Sequence, residues 1–288
     1  HIPEAYGGLG VGITEIVLVA EALGRRLACV PWLESAVLAG TTDLAYFTAN
    51  GPPATAALIL LAAGFLIKTA AAGFHVWLVG AYSEADDDFT AMLSAVVSKV
   101  GIVGLFIGTY LAIRSQAGLD VAAVLAWIGM LTTIAGALMA LVQTDFKRLL
   151  AFFFFSQLGY IITAIGLMSH LGWVTALYLV ANHMMAKGIL FLAVAGIILE
   201  TGTRSFAETG GLRRDMPLTF ALVVFALISM SGLPPLMGFG GKWLLLSAMT
   251  DKGWYLLVVA GLFATFVGFL YMGRLAGALF LGQRRAAR

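Results

Sequence analysis

Four lysines lie well inside long apolar runs of this sequence, where a charged side chain is costly. They are Lys68, Lys99, Lys187 and Lys242. A lysine at the centre of a membrane-spanning helix costs roughly 2.5–3.5 kcal/mol on insertion scales, so it is tolerated where it faces a bundle interior or a hydrated cavity. Burial also disfavours the charged ammonium, which lets such a lysine exchange protons near neutral pH. Snorkelling to the membrane surface is the alternative, and it suits the first and last of these lysines better than the middle two.

One of these lysines has a histidine one helical turn away. His183 and Lys187 are four residues apart, which places their side chains on one face of a helix. Imidazole titrates near neutral pH, so the pair could relay protons, although a polar pair could also simply pack two helices together. His75 follows Lys68 by seven residues and shares its face only if the helix stays regular past Gly73. His75 is therefore a possible further relay residue.

Residues 231–242 contain two prolines and four glycines within an apolar run. This composition predicts a broken membrane helix with Lys242 beside the break. Broken helices in membranes place backbone groups and half-helix dipoles next to ions. An ordinary proline kink is the alternative.

The elements that carry these residues are predicted to be membrane helices. Of the 288 residues, 61% are hydrophobic and only 11% are charged, which is too apolar for an ordinary soluble surface. A spanning helix needs about 20 mostly apolar residues. The sequence predicts an all-α, polytopic membrane helix bundle of about seven transmembrane helices, one of them broken, preceded by a short soluble helical segment. The candidate spans are 56–80, 89–113, 121–142, 149–168, 173–199, 217–248 and 254–281.

The composition changes near residues 50–53, so we predict a boundary between a segment 1–53 and a membrane domain 54–288. Residues 2–10 and 21–25 resemble the N-terminal helical region of acyl-CoA dehydrogenases. Only a fragment of that family is present, and it carries neither a flavin site nor a catalytic carboxylate. The segment is therefore interpreted as a possible spurious junction, and a flavoprotein fragment remains as an alternative from another class.

Charge and cysteine content exclude several kinds of site. The formal net charge of +2 indicates no binding to nucleic acid, and the single cysteine, Cys29, allows neither an intrachain disulfide nor a cysteine metal site. Eight Lys and Arg residues follow or separate the predicted spans on one side of the membrane, whereas only Arg114 and Lys252 lie on the other side. This excess predicts that the loops around Asp87, Lys147 and Arg213 are cytoplasmic. The acidic run 84–88 is expected to be a solvated loop.

Five motifs occur in an order that resembles the second half of antiporter-like, proton-translocating membrane subunits. That group includes subunits of complex I (NADH:quinone oxidoreductase), of Mrp antiporters and of membrane-bound hydrogenases. The motifs lie at residues 64–68 with 74–78, at 93–101, at 143–151, at 182–187, and at 232–242. The sequence departs from the family at Gly73, at 79–80 and at 85–88, where relatives usually have prolines.

The resemblance implies two inverted five-helix repeats in the family, each with a broken helix, and a mid-membrane row of lysines, histidines and acids that carries protons. The seven spans would correspond to the family's seventh through thirteenth helices, and the first repeat would be missing from this chain. By this resemblance the proton relay consists of Lys68, Lys99, His183, Lys187 and Lys242.

The resulting hypothesis is a proton-conducting subunit, or fragment of one, in a complex I-type NADH:quinone oxidoreductase or a related complex. Its chemistry is proton transfer, with no bond-making step and no cofactor in this chain. The expected partners are other membrane subunits, protons, possibly Na⁺, and the lipid bilayer of the bacterial inner membrane. The alternatives are an Mrp-type Na⁺/H⁺ antiporter component and a purely structural membrane protein of the same complex.

Overall fold

The computed structural model describes residues 55–115 and 121–282, and their regular elements are helices. The predicted all-α membrane fold is confirmed, while segment 1–53 and its boundary lie outside the described residues and stay predictions. The helices are α1 (Thr55–Lys68), α2 (Val76–Glu84), α3 (Asp87–Met92), α4 (Lys99–Ser115), α5 (Val121–Leu141), α6 (Phe146–Gly166), α7 (His170–Thr201), α8 (Pro217–Ser231), α9 (Met237–Asp251) and α10 (Tyr255–Phe280), with a π-helical turn at Leu93–Val97.

Five helices in the described part of the chain are long and apolar enough to cross a membrane. One is the continuous stretch Phe89–Ile113, which passes from α3 through the π-helical turn into α4. The others are α5, α6, α7 and α10. Two of the predicted spans are instead divided into shorter helices.

The first predicted span, 56–80, is not one regular helix. α1 ends at Lys68, and the chain then passes through two residues with positive φ, Ala70 at 58° and Gly73 at 94°, before α2 begins at Val76. Glycine adopts such angles without steric strain, so Gly73 permits a break that contains no proline. No regular helix continues from Lys68 to His75, so the two residues do not share a helical face.

The predicted break in the span 217–248 is confirmed. α8 ends at Ser231, and Gly232 follows in the left-handed conformation with φ of 82°. α9 begins at Met237 after the two prolines. Lys242 thus lies in the second turn of a half-helix.

The described residues form two compact units. The first contains residues 55–69 and 100–115, and the second contains 70–99 and 122–282. In the first unit α1 and α4 pack closely, because a Cβ atom added at Gly101 would lie 2.8 Å from Thr69 Cγ2. Leu111 is buried there against Phe65.

In the second unit every residue of α6 except Arg148 is buried. It packs on α5 through glycines of both helices: an added Cβ at Gly129 would lie 2.5 Å from Thr163 N, and one at Gly159 would overlap Gly129 O. Small residues allow membrane helices to approach this closely. The close seam fixes α6, whose aromatic rings face the charged residues described below.

Three side-chain contacts join loops and helix ends at one end of the second unit. Lys147, in the first turn of α6, forms an ion pair with Asp87 and donates a hydrogen bond to Ala85 O at 2.7 Å. Arg204 Nη1 donates to Ser83 O at 2.7 Å. Within the acidic run, Glu84 and Asp86 are exposed as expected, whereas Asp87 begins α3 and is partly buried in its ion pair, with 33% of its side chain exposed. The loops around residues 87 and 147, predicted to be cytoplasmic, therefore lie at the same end.

Candidate functional site

The longest described helix, α7, positions two of the predicted relay residues. The Ser169 side chain caps its N-terminus by accepting a hydrogen bond from Gly172 N, and Gly202 ends it in the left-handed conformation. His183 and Lys187 lie near its middle and are 1% and 0% exposed. Both side chains are thus held in the interior of the second unit, as predicted.

Lys99 meets His183 in this interior. Lys99 is the first residue of α4, directly after the π-helical turn and Ser98, and its Nζ lies 3.3 Å from His183 Nδ1. Lys99 Nζ also donates a hydrogen bond to Ser98 Oγ at 3.2 Å. The separation allows the Lys99 ammonium to donate a proton directly to a neutral imidazole at Nδ1.

Lys187 is surrounded by dipoles and aromatic rings. Its Nζ donates hydrogen bonds to Tyr82 OH at 3.2 Å and to Ser94 O at 3.1 Å. It lies 4.7 Å from the centroid of the Tyr82 ring and 5.3 Å from that of Phe154. These contacts stabilise the ammonium. Within the described residues Lys187 forms no ion pair, so no carboxylate holds it in the charged form.

The π-helical turn Leu93–Val97 supplies the backbone that connects these lysines. π-helical turns often occur at functional sites. Ser94 O accepts hydrogen bonds from both Lys187 Nζ and Ser98 Oγ, the latter at 2.7 Å. Lys187 and Lys99 are therefore joined through Ser94 and Ser98.

Sequence reasoning missed Tyr82, Ser94 and Ser98. The one available signal was that Ser98 adjoins Lys99 within a recognised motif. A hydroxyl in an apolar helix is too common to single out, because it can donate to a carbonyl of its own helix.

Lys242 lies at the break between α8 and α9. Its Nζ donates a hydrogen bond to Ser231 O, the last carbonyl of α8, at 3.2 Å and lies 4.9 Å from the centroid of the Tyr160 ring. A cavity of about 290 Å³ adjoins it, lined by Lys242, Ser231, Tyr160, Thr265 and mostly apolar side chains. The half-helix end and the cavity together provide the environment predicted for this lysine.

The broken helix crosses α7 next to His183. A Cβ atom added at Gly238 would lie 3.0 Å from Asn182 Nδ2, and one at Gly241 would lie 2.7 Å from Leu179 Cδ2. Asn182 Oδ1 also accepts a hydrogen bond from Ser229 Oγ. The helix that carries His183 and Lys187 is thereby fixed against the two half-helices.

The other two candidates lie apart from this cluster. Lys68 is 4% exposed at the end of α1, in the first unit. His75 belongs to the second unit, where its ring stacks on Phe155 with centroids 4.7 Å apart. The structure thus brings together Lys99, His183 and Lys187 and places Lys242 at the helix break. The proton-relay role of these residues, and of Lys68 and His75, stays a prediction.

A protein family model matches residues 31–268 of the chain: NADH:quinone oxidoreductase/Mrp antiporter, transmembrane. The chain belongs to this family. The match begins upstream of the predicted boundary at residue 54, and that boundary stays a prediction.

Several kinds of known protein resemble the chain. NADH-quinone oxidoreductase subunit N of Desulforudis audaxviator is 32% identical over 226 residues, which are 78% of this chain and 45% of that protein. A component of a Na(+)/H(+) antiporter of Bacillus subtilis is 36% identical over 209 residues, 67% of this chain and 25% of that protein. In the structure of the membrane-bound sulfane sulfur reductase, an archaeal respiratory membrane complex, a chain with 32% identity matches with a TM-score of 0.80, covering 92% of this chain and 46% of that one. The chain spans about half the length of the curated relatives it matches.

Proposed function

We propose that this chain conducts protons as the second half of an antiporter-like membrane subunit, with Lys99, His183 and Lys187 as its central exchange cluster. The observation that carries the proposal is the 3.3 Å contact between Lys99 Nζ and His183 Nδ1, at two side chains that are buried in the second unit. Such a pair can exchange a proton, because both side chains titrate. Membership of the family supports the same function.

Electrostatic repulsion would couple the steps of conduction. Two positive charges 4 Å apart repel each other by about 4 kcal/mol at an effective dielectric constant near 20, compared with about 1 kcal/mol in water. A proton that arrives at Lys187 therefore disfavours the charged forms of His183 and Lys99. Each residue then passes its proton onward when its neighbour becomes charged. A change of charge in an adjoining subunit would drive this series of transfers.

The parent assembly is proposed to be a complex I-type NADH:quinone oxidoreductase or a related redox-driven complex. Other membrane subunits would be its partners, and the bacterial cell membrane its location. Similarity to subunit N of NADH-quinone oxidoreductase supports this choice. Similarity to a Na(+)/H(+) antiporter component supports Na⁺/H⁺ exchange as the second candidate.

The test is proton translocation by sealed vesicles that contain the parent complex, measured with and without Na⁺. Lys187→Ala should reduce translocation at least about tenfold, since a positioned proton-transfer group typically contributes about 100-fold or more. Lys187→Arg should not restore it, because a guanidinium does not release its proton. Lys252→Ala, at an exposed lysine stacked on Trp254, is the matched control and should translocate normally.

Two results would contradict the proposal. Normal translocation by Lys187→Ala, at a normal amount of assembled complex, would remove the lysine from the relay. Translocation that requires Na⁺ would replace redox-driven pumping with the antiporter alternative.

A further inference from the structure

The cavity beside Lys242 has the size and lining of a site for a small apolar ligand. Its volume of about 290 Å³ is nearly twice that of a ~150 Å³ apolar cavity able to hold benzene. Lining side chains of the α8–α9 connection, α9 and α10 are also exposed at the apolar surface of the second unit: Leu233, Phe239, Trp243, Leu262 and Phe269. An apolar molecule dissolved in the bilayer therefore reaches the cavity without crossing water.

Lys242 is the polar group of this cavity that has hydrogen-bonding capacity left. Tyr160 OH and Thr265 Oγ1 are hydrogen-bonded to each other at 2.7 Å, and the Ser231 hydroxyl donates to a carbonyl of its own helix. An ammonium has three N–H groups, and Lys242 Nζ uses one of them on Ser231 O within the described residues. The salt bridges of these residues do not include Lys242. The cavity thus presents a positive charge and further N–H donors to an anionic acceptor.

The depth of Lys242 in the broken span limits the kind of anion that reaches it. α8 has 15 residues before the break, and α9 continues from Lys242 to Asp251. At about 1.5 Å per residue, these stretches are roughly 22 and 14 Å long, within a hydrocarbon core about 30 Å thick. A phosphate headgroup carries its charge at all times and stays at the membrane surface. A carboxylic acid becomes neutral in an apolar phase and can enter to this depth.

We propose that this cavity binds a long-chain fatty acid, with its carboxylate on Lys242 Nζ and the adjoining part of its chain between α9 and α10. The neutral acid gives its proton to the neutral lysine amine, so a carboxylate and an ammonium form in contact. Neither charge crosses the apolar phase alone. The bound carboxylate then holds Lys242 in its charged form and stops it from exchanging protons. This consequence for transport rests on the proposed function, whereas the binding does not.

The test uses the purified parent complex and palmitate with a photoactivatable diazirine on its chain. Crosslinks mapped by mass spectrometry should fall on the lining residues of α9 and α10, and unlabelled palmitate should displace the probe. Hexadecanol has the same chain length without the carboxylate. It should compete about tenfold more weakly or worse, in line with the loss of a hydrogen bond between charged groups. Phosphatidylglycerol, an anionic phospholipid, should compete no better than hexadecanol.

Three variants separate the head and the chain of the ligand. Lys242→Met keeps an unbranched side chain and removes the ammonium, so it should weaken palmitate binding about tenfold or more and leave hexadecanol binding unchanged. Leu262→Trp fills the cavity from an exposed position and should weaken both. Lys252→Ala, at the exposed lysine stacked on Trp254, is the matched control and should bind both ligands normally.

Equal competition by hexadecanol and palmitate in the unaltered complex would overturn the proposal, even if Lys242→Met fails to assemble. Crosslinks that fall elsewhere, or full labelling of assembled Lys242→Met, would also overturn it. Competition by phosphatidylglycerol as strong as that by palmitate would assign the site to a phospholipid instead. Because these measurements record binding and not translocation, the proposal and the proposed function can fail separately.

Discussion

The two most buried lysines of the described residues, one on α6 and one on α7, have different partners. Lys147 pairs with the carboxylate of Asp87, whereas Lys187 contacts a hydroxyl, a carbonyl and two rings. A carboxylate partner favours the charged lysine at all times, and such a pair suits a structural role. The contacts of Lys187 tolerate both protonation states. Burial alone therefore does not distinguish a relay lysine from a structural one. The distinction depends on the group that the lysine contacts.

Replacing Lys147 by alanine should destabilise the protein without changing transport by each assembled molecule. The change leaves Asp87 without its partner, a loss of about 3–5 kcal/mol for a fully buried pair. The loss should be smaller here, because the Asp87 side chain is 33% exposed. Thermal unfolding in detergent and translocation normalised to assembled complex are the measurements.

Arg148→Ala, at the exposed neighbouring position, is the control for this variant and should unfold at nearly the parent temperature. An unchanged melting temperature for Lys147→Ala, or a loss of specific transport, would contradict the structural role.

At this scale the sequence was sufficient to find the lysines and insufficient to find their partners. A lysine in an apolar run stands out because its insertion is costly. Ser98 does not stand out, because it donates to Ser94 O four residues back in its own helix and so needs no distant partner. The connection of Ser98 to Lys187 depends on how α7 packs against the π-helical turn, which no local pattern encodes.

At the scale of the helices, the two breaks have different physical origins. The break between α8 and α9 was predictable, because Pro234 and Pro235 cannot continue a helix and Gly232 adopts a positive φ readily. The break after Lys68 contains no proline and depends on positive φ at Ala70 and Gly73. Alanine at such an angle is unfavourable, so only the surrounding structure selects it. The residue types alone therefore do not predict this break.

The π-helical turn was also beyond sequence reasoning. Residues 93–97 are Leu-Ser-Ala-Val-Val, without proline or glycine. A π-helical turn is a local change in the hydrogen-bond ladder, and nothing in the residue types requires it. It lies immediately before Ser98 and Lys99, and therefore sets where these two side chains leave the helix.

The close seam between α5 and α6 gives a prediction for these elements. A Cβ atom at Gly159 would overlap both Thr133 Oγ1 and Gly129 O, so Gly159→Ala forces the helices apart. Overpacking of this kind costs about 1–3 kcal/mol, which should lower the melting temperature of the purified protein.

Gly277→Ala is the matched control, because nothing lies within 4 Å of an added Cβ at that position. It should be neutral or slightly stabilising, since alanine is favoured over glycine in a helix by about 1 kcal/mol. Equal melting temperatures for the two variants would contradict the close approach of α5 and α6 at Gly159.

At the scale of the whole molecule, the charged residues are separated by role. Those at one end of the second unit, including Lys147, Asp87 and Arg204, connect loops, whereas those in the interior contact hydroxyls, rings and each other. The apolar composition predicted the membrane class, and the ordered motifs predicted the family. The division into two units could not be predicted, because it depends on which helices pack together.

The central claim is that Lys99 exchanges the proton that this chain conducts. The most direct measurement is proton translocation by vesicles containing the parent complex with Lys99→Ala, normalised to the amount of assembled complex. We predict a loss of about tenfold or more with assembly intact, since a positioned proton-transfer group is removed. Lys99→Arg should not recover the activity, because its guanidinium stays protonated. Near-normal translocation by Lys99→Ala in fully assembled complex would contradict the account.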